Sequence, residues 1–235
     1  MKNMILASSS SVYGSEFLEY LLPQLRTLFE GVSQLLFIPY ARPGGITHDE
    51  YTSHVEKAFN AIGINAKGIH TFPNPKEAIE NAEAIYTGGG NTFVLVDKLY
   101  EYNLMDVLKE TIENGTPYLG TSAGTNICGV SMKTTNDMPI VELKKYTTLG
   151  LISFNINAHY IEPKRNSTHK GETRETRIKE FHAYNNTPVI GLKEGSWLSV
   201  NGNQVVLKGD LNAMLFEQGK RKKEVVPETD FSLSL

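Results

Sequence analysis

The residues best suited to chemistry form the pentapeptide Gly120-Thr121-Ser122-Ala123-Gly124, which follows the short apolar segment Pro117-Tyr118-Leu119. A serine on a sharp strand-to-helix turn needs small neighbours, and Gly120 and Gly124 have no Cβ that would clash there. In such a turn, called a nucleophile elbow, the hydroxyl is lifted above the sheet and nearby N–H groups, first that of Ala123, face a developing oxyanion. An ordinary tight turn or a phosphate-binding loop is the alternative interpretation.

A second loop of small residues, Gly88-Gly89-Gly90-Asn91, follows the strand candidate Ala84–Thr87. Ligand sites of open α/β sheets lie at the carboxyl ends of the parallel strands, so both loops are expected at one edge. We predict an oxyanion hole with one donor from Gly89 or Gly90 and the other from Ala123. The alternatives are a flexible connector and a dinucleotide loop, but a dinucleotide loop would follow the first strand, where the sequence instead has four serines.

A serine hydroxyl becomes a strong nucleophile only beside a base that a third group orients. Among six histidines, His159 follows a strand candidate at the edge where Ser122 is expected, and it is the preferred base. His169, in a polar stretch, is the second choice. Two carboxylates compete for the orienting role: Glu194 ends an apolar strand candidate, and Asp137 lies in a polar turn between the serine and the histidine.

The elements that would position these side chains alternate between strand and helix in the first half, which predicts a parallel sheet flanked by helices. The strand candidates are Met4–Ala7, Leu35–Pro39, Ile64–Ile69, Ala84–Thr87 and Pro117–Gly120. The helix candidates are Glu16–Phe29, His48–Ile62, Pro75–Asn81 and Thr92–Glu113, the last with a break near Asn103.

The second half is expected to complete the same sheet with antiparallel strands, because no linker divides the chain and residues 1–235 are predicted to form a single domain. Its strand candidates are Ile152–Asn155, Val189–Leu192, Trp197–Val200 and Gln204–Leu207. One helix candidate, Arg174–Tyr184, interrupts them. The charged segment Lys220–Glu224 is interpreted as a solvated tail.

Composition and net charge limit the classes of protein to which the chain can belong. The 235 residues are 40% hydrophobic and 21% charged, which suits a globular protein with a sizeable core. A formal net charge of −3 gives no reason to expect a nucleic acid or a membrane surface as partner. Cys128 is the only cysteine, which excludes an intramolecular disulfide and favours a buried structural thiol. The N-terminal apolar run is too short for a signal-peptide core, so a cytoplasmic protein is expected.

Several motifs in order give the chain a specific resemblance: the Gly88-Gly89-Gly90-Asn91-Thr92-Phe93 loop, the Gly120–Gly124 elbow, Thr134–Ile140, Asn157-Ala158-His159, His169–Arg174 and Gly191–Gly195. Over nearly its whole length the chain resembles the peptidase E (dipeptidase E, alpha-aspartyl dipeptidase) family of serine peptidases. The resemblance implies an α/β three-layer sandwich of the class I glutamine-amidotransferase type, with a mostly parallel central sheet. It implies Ser122 as nucleophile, His159 as base and Glu194 as the orienting acid, with Asp137 as the alternative acid.

The resemblance also implies an activity, the hydrolysis of dipeptides with an N-terminal aspartate, without metal or cofactor and with a small peptide as the sole partner. A monomer or weak homodimer is expected. Arg174 is the first candidate for binding the substrate β-carboxylate and Arg177, on the next turn, the second, while Asp137 or Asn136 could accept the α-ammonium. A solvated arginine at a helix start is the simpler interpretation of Arg174. The family usually has tryptophan where this chain has Thr121, which implies a different adjacent pocket.

Three other functions compete with this one. A hydrolase of β-linked aspartyl polymers, similar to cyanophycinase, would use the same scaffold. An esterase of the α/β-hydrolase type would place its base near the C-terminus, yet no histidine follows His182. A non-enzymatic module could use the glycine loops to bind a small anion.

Overall fold

The computed structural model of the protein describes residues 1–163 and 171–232. In chain order its strands are β1 (Asn3–Ala7), β2 (Gln34–Ile38), β3 (Asn65–Gly68), β4 (Ile85–Thr87), β5 (Tyr118–Thr121), β6 (Asn155–Ala158), β7 (Val189–Leu192), β8 (Trp197–Asn201), β9 (Gln204–Lys208), β10 (Ala213–Phe216) and β11 (Lys223–Val225). Its helices are α1 (Leu22–Leu28), α2 (His48–Asn60), α3 (Pro75–Glu80), α4 (Thr92–Glu101), α5 (Met105–Glu113), α6 (Ala123–Asn126) and α7 (Arg174–His182). Short 3-10 turns, Glu19–Leu21 and Ile69–Thr71, precede α1 and follow β3.

Seven of the described strands form a mixed sheet in the order β3-β2-β4-β5-β1-β8-β9. The first five strands of the chain pair in parallel, with Ile5 of β1 opposite Leu119 of β5. β8 and β9 are antiparallel and extend the sheet beyond β1. The carboxyl ends of β4 and β5 therefore lie side by side, and the glycine loop and Ser122 follow these two ends directly.

Hydrophobic side chains bury both faces of this sheet, which explains the nearly continuous apolar runs of the parallel strands. On one face Leu25 of α1 and Phe59 of α2 belong to the same buried cluster as Phe37 and Leu119 of the sheet. On the other face the cluster includes residues of α4, α5 and α6 together with Ile190 of β7. The second cluster thus joins the large sheet to the strands that follow it.

Those later strands form a second sheet of four described strands in the order β11-β10-β7-β6. β6 and β7 pair in parallel, with Ala158 opposite Leu192. β10 is antiparallel to both β7 and β11. Because β6 and β7 are parallel and in register, His159 and the segment leading to Glu194 leave this sheet at the same end.

The five strand candidates of the first half are confirmed to within a few residues, as is the break near Asn103, where the peptide turns at a φ of 54°. The expectation of one sheet completed by antiparallel strands is only half right. β8 and β9 do extend the large sheet, whereas β6, β7, β10 and β11 form a separate one. The strand expected at Ile152–Asn155 begins instead at Asn155, where pairing with Val189 of β7 begins.

The interpretation of Lys220–Glu224 as a solvated tail is wrong, because Lys223–Val225 is the edge strand β11 paired with β10. Its charged residues are exposed, which is a common way to keep an edge strand from pairing with other chains. None of the helices within 1–163 and 171–232 is long and apolar enough to cross a membrane.

Candidate active site

Ser122 lies at the turn between β5 and α6 in a conformation that few L-residues adopt, with φ of 52° and ψ of −109°. Its N–H donates to the carbonyl oxygen of Ala7 on the neighbouring strand at 3.1 Å. Its carbonyl oxygen accepts from the N–H groups of Thr125 and Asn126 in α6. Strain of this kind persists only where the surroundings hold the backbone, and here a strand and a helix hold it from both sides.

The two glycines of the elbow are required by close backbone approach. A Cβ atom at Gly120 would lie 2.6 Å from the carbonyl oxygen of Gly124. A Cβ atom at Gly124 would overlap the carbonyl oxygen of Thr87, at the end of β4. The turn can thus close on itself and pack against the end of β4 only when both positions lack a side chain.

We expect Gly124→Ala to lower the free energy of unfolding by about 3 kcal/mol, because the methyl group meets backbone that cannot move aside. Urea unfolding monitored by circular dichroism measures this change. Gly44→Ala is the matched control, since a Cβ at Gly44 meets nothing within 4 Å. Equal stability of the two variants would contradict the assigned close packing.

His159 directly follows β6 and, like Ser122, has a positive φ, 54°. Its Nε2 atom lies 2.9 Å from Ser122 Oγ, and its Nδ1 atom lies 2.6 Å from Glu194 Oε1. A carboxylate only accepts hydrogen bonds, so Nδ1 donates to Glu194, and in the tautomer that this bond selects Nε2 is the atom that can accept the Ser122 O–H. The serine, the imidazole and the carboxylate therefore form one hydrogen-bonded chain. The side chains of His159 and Glu194 are 36% and 56% exposed, so a substrate can reach them.

Asp137, the competing acid, lies elsewhere in the same region. Its Oδ2 atom accepts from the Thr92 N–H at 2.7 Å and from the hydroxyls of Thr92 and Thr135 at 2.5 and 2.8 Å. These bonds fix Asp137 at the N-terminus of α4, where a negative charge is favourable. The Nδ1 partner of the imidazole is Glu194, and the geometry does not support Asp137 as the orienting acid.

The side-chain amide of Asn136 is hydrogen-bonded to β6. Its Nδ2 atom donates to the carbonyl oxygen of Ala158 at 2.8 Å and to Asn157 Oδ1 at 3.2 Å. Its Oδ1 atom accepts from Asn157 Nδ2 at 3.0 Å. Asn136 therefore fixes Ala158, the residue before His159, and its binding of a substrate ammonium stays a prediction.

The glycine loop packs directly against the elbow. A Cβ at Gly89 would lie 3.0 Å from Ser122 Cβ and 3.6 Å from Ser122 Oγ. Gly90 has a φ of 145°, and a side chain there would meet Ala41. The backbone N–H groups of Gly89, Gly90 and Ala123 donate no hydrogen bond within the described residues. Donors without partners close to Ser122 Oγ are what an oxyanion hole requires.

Arg174 begins α7 and lies near both carboxylates. Burial and then the neighbouring Arg177 lower the pKa of the Arg174 guanidinium, while Glu194 and Asp137 raise it. Its Nη1 atom is buried and has no hydrogen-bond partner among the described residues. A buried guanidinium donor without a hydrogen-bond acceptor costs free energy. An anionic ligand bound next to Arg174 would supply this acceptor.

The remaining expectations concern residues outside this cluster. His70 contacts Asp49, His182 contacts the Thr187 carbonyl oxygen, and His169 lies outside the described residues. Cys128 is buried as expected, and burial raises the pKa of its thiol to about 12. No group of three or more histidine, cysteine, aspartate or glutamate side chains within the described ranges could hold a metal ion.

The effect of Thr121 on the adjacent pocket stays a prediction. Thr121 is fully buried, and its hydroxyl lies 3.0 Å from the hydroxyl of Tyr86 within the sheet core. The sequence analysis also missed three polar residues that hydrogen-bond to residues of the site: Thr92 and Thr135, which donate to Asp137, and Ser8, which accepts from the His159 N–H. In the sequence each of them is only a polar residue directly after a buried strand or next to a predicted loop, which is a weak indication of a role in the site.

A serine on a strand-to-helix turn, hydrogen-bonded to a histidine that is itself bonded to a carboxylate, is the arrangement of serine hydrolases. The profile of peptidase family S51 matches residues 4–208. The chain belongs to this family and is therefore a peptidase.

Two full-length relatives agree with this assignment, and two solved structures share the fold. The chain is 44% identical to the probable alpha-aspartyl dipeptidase of Drosophila melanogaster, over 100% of this chain and 98% of that protein. It is 43% identical to peptidase E of Streptomyces coelicolor, over 98% and 93%. A crystal structure of a peptidase from an acI-B1 Actinobacterium matches with a TM-score of 0.73 at 17% identity, over 98% and 96% of the two chains. A putative peptidase E protein from Listeria monocytogenes matches with a TM-score of 0.67 at 24% identity, over 89% and 98%. These two structural matches show a shared α/β fold.

Proposed function

We propose that the protein is a serine-type dipeptidase that hydrolyses dipeptides with an N-terminal aspartate through an acyl-enzyme. The observation that carries this proposal is the hydrogen-bonded chain from Ser122 through His159 to Glu194. The names of the two full-length relatives, alpha-aspartyl dipeptidase and peptidase E, support the same activity.

In the proposed reaction Ser122 Oγ attacks the carbonyl carbon of the aspartyl residue while His159 Nε2 takes the hydroxyl proton. The carbonyl oxygen becomes negative, and the N–H groups of Gly89 or Gly90 and of Ala123 stabilise it. The C–N bond then breaks, and the imidazolium gives its proton to the leaving amine. Water, activated by the same imidazole, releases aspartate from Ser122. Glu194 keeps the ring in the productive tautomer and stabilises its charged form.

Selectivity for aspartate is proposed to reside in Arg174. Its buried Nη1 atom, which has no hydrogen-bond partner within residues 1–163 and 171–232, supports binding of a β-carboxylate. The substrate α-ammonium is assigned to Asp137, because the hydrogen bonds that its carboxylate accepts within the described chain all go to Oδ2 and leave Oδ1 as an acceptor. A cation for the carboxylate and an anion for the ammonium together match the charges of an N-terminal aspartate.

The fold is proposed to be a three-layer sandwich of the class I glutamine-amidotransferase type, with residues 1–235 forming one hydrolytic domain. Five parallel strands and an elbow at the end of a central strand support this. The buried cluster that includes residues of both sheets supports a single domain. A cytoplasmic monomer or weak homodimer, acting on small peptides and on neither nucleic acid nor membranes, completes the proposal.

Hydrolysis of a dipeptide panel tests the proposed function directly. We expect kcat/KM for Asp-Leu to exceed that for Ala-Leu by about 10- to 150-fold, because a charged hydrogen bond contributes about 1.5–3 kcal/mol. Faster cleavage of a β-aspartyl-arginine peptide than of Asp-Leu would favour the cyanophycinase-like alternative. Cleavage of none of these substrates would overturn the proposal.

Arg174→Met should lower kcat/KM for Asp-Leu by about 100-fold and leave Ala-Leu hydrolysis unchanged, because only the first substrate has a side-chain carboxylate. Arg177→Met is the matched control. Its exposed guanidinium lies 3.6 Å from Glu172, and its loss should affect neither substrate. Equal loss for Asp-Leu and Ala-Leu in Arg174→Met would contradict the carboxylate-binding role.

A further inference from the structure

The end of β1 connects the three segments that hold Ser122, His159 and Glu194. Ala7 is the last residue of β1, next to β5 in the sheet, and its carbonyl oxygen accepts from the Ser122 N–H at 3.1 Å and from the Thr125 hydroxyl at 2.7 Å. Ser8 follows directly and is completely buried. Ser8 therefore cannot move far from β5 without breaking the hydrogen bond between the Ser122 N–H and the Ala7 carbonyl oxygen.

The Ser8 hydroxyl makes two hydrogen bonds to the second sheet. Its Oγ atom accepts from the backbone N–H of His159 at 2.9 Å and donates to the carbonyl oxygen of Leu192 at 2.7 Å. The Ser8 N–H donates to the carbonyl oxygen of Ser196 at 3.0 Å. Leu192 and Ser196 lie two residues before and two residues after Glu194, so Ser8 holds both sides of the turn that presents this carboxylate.

The bond to His159 bears on a strained residue. His159 has a φ of 54°, a conformation that a non-glycine residue keeps only where its surroundings impose it. Its N–H is fixed by Ser8, and the next residue, Tyr160, donates to the same Leu192 carbonyl at 3.0 Å. A rotation of this backbone would turn the imidazole away from Ser122 and from Glu194 together.

We propose that Ser8 is a positioning residue for the reaction: through its hydroxyl it fixes the backbone of His159 and the Glu194 turn against the strand that holds Ser122. It does not touch the reacting atoms. This inference rests on the proposed function, in which His159 is the base. It predicts that loss of one buried hydroxyl reduces the nucleophilicity of Ser122 more than it reduces substrate binding.

Ser8→Ala tests the proposal. Labelling of Ser122 by a fluorophosphonate should become about 100-fold slower, because a misplacement of about 1 Å in a catalytic group costs about this much. With Asp-Leu as substrate, kcat should fall by a similar factor and KM should change little. Ser8→Cys, which keeps a weaker and longer hydrogen-bonding group, should lose a smaller factor. If Ser8→Ala does not fold, the same measurements on Ser8→Cys test the proposal.

Ser196→Ala is the matched control, because Ser196 is equally buried and its hydroxyl donates away from the site, to the Leu211 carbonyl oxygen at 3.2 Å. It should lower the melting temperature and leave the labelling rate unchanged. Wild-type labelling by a folded Ser8→Ala protein, or an increase in KM without a fall in kcat, would overturn the proposal. Slow labelling of Ser8→Ala in a protein that cleaves no aspartyl dipeptide would support it and refute the proposed substrate instead.

Discussion

Replacing Ser122 with alanine should reduce kcat/KM for Asp-Leu by about 10⁴-fold or more while the protein stays folded. The hydroxyl is the proposed nucleophile, so its removal leaves only substrate binding and the oxyanion donors. Stability should be nearly unchanged, because the Ser122 side chain bonds only to His159 within the described chain and the strained backbone still carries a Cβ. Steady-state hydrolysis and thermal unfolding measure the two parts of this prediction.

Two controls make the result specific. Ser122→Gly should be equally inactive but melt at a higher temperature than Ser122→Ala, because glycine adopts a positive φ without steric cost. Ser199→Ala, on β8 in the large sheet, should keep wild-type turnover and wild-type labelling by a fluorophosphonate. Near-wild-type hydrolysis by Ser122→Ala would remove Ser122 from the mechanism.

The local features of the fold could be predicted from the sequence because their causes are local. Apolar runs between amphipathic segments identify the five parallel strands, and the glycines around Ser122 identify a turn that only small residues can form. The positions of His159 and Glu194 followed from one topological rule, that ligand sites lie at the carboxyl ends of parallel strands. The rule also held for β6 and β7, the strands that precede His159 and Glu194, although both belong to the second sheet.

The features that sequence reasoning missed depend on pairing between distant segments. Ala213–Phe216 has no β-branched residue, and it becomes a strand because Val189–Leu192 offers it a partner. The choice between Glu194 and Asp137 required the register of β6 against β7, which no local pattern encodes. Ser8 stood in a run of four serines, and only its contacts across about 150 residues of sequence separate it from its neighbours.

The two carboxylates can be separated by isosteric substitutions. Glu194→Gln should lower kcat for Asp-Leu by about 10³-fold, because a neutral amide stabilises the imidazolium poorly and allows the wrong tautomer. Labelling of Ser122 by a fluorophosphonate, a probe without an ammonium group, should slow by a similar factor. Asp137→Asn should leave this labelling nearly unchanged and instead raise KM for Asp-Leu, because its proposed partner is the substrate ammonium.

The two variants are expected to differ because the two carboxylates have different partners. Glu194 acts on the imidazole, 2.6 Å away, whatever molecule reacts with Ser122. The proposed partner of Asp137 is the substrate α-ammonium, a group that the fluorophosphonate lacks, and the hydrogen bonds that its carboxylate makes within the described chain come from Thr92 and Thr135. Slow labelling of Asp137→Asn together with wild-type labelling of Glu194→Gln would reverse the two assignments, and it would require the loop around Asp137 to move onto His159 during the reaction.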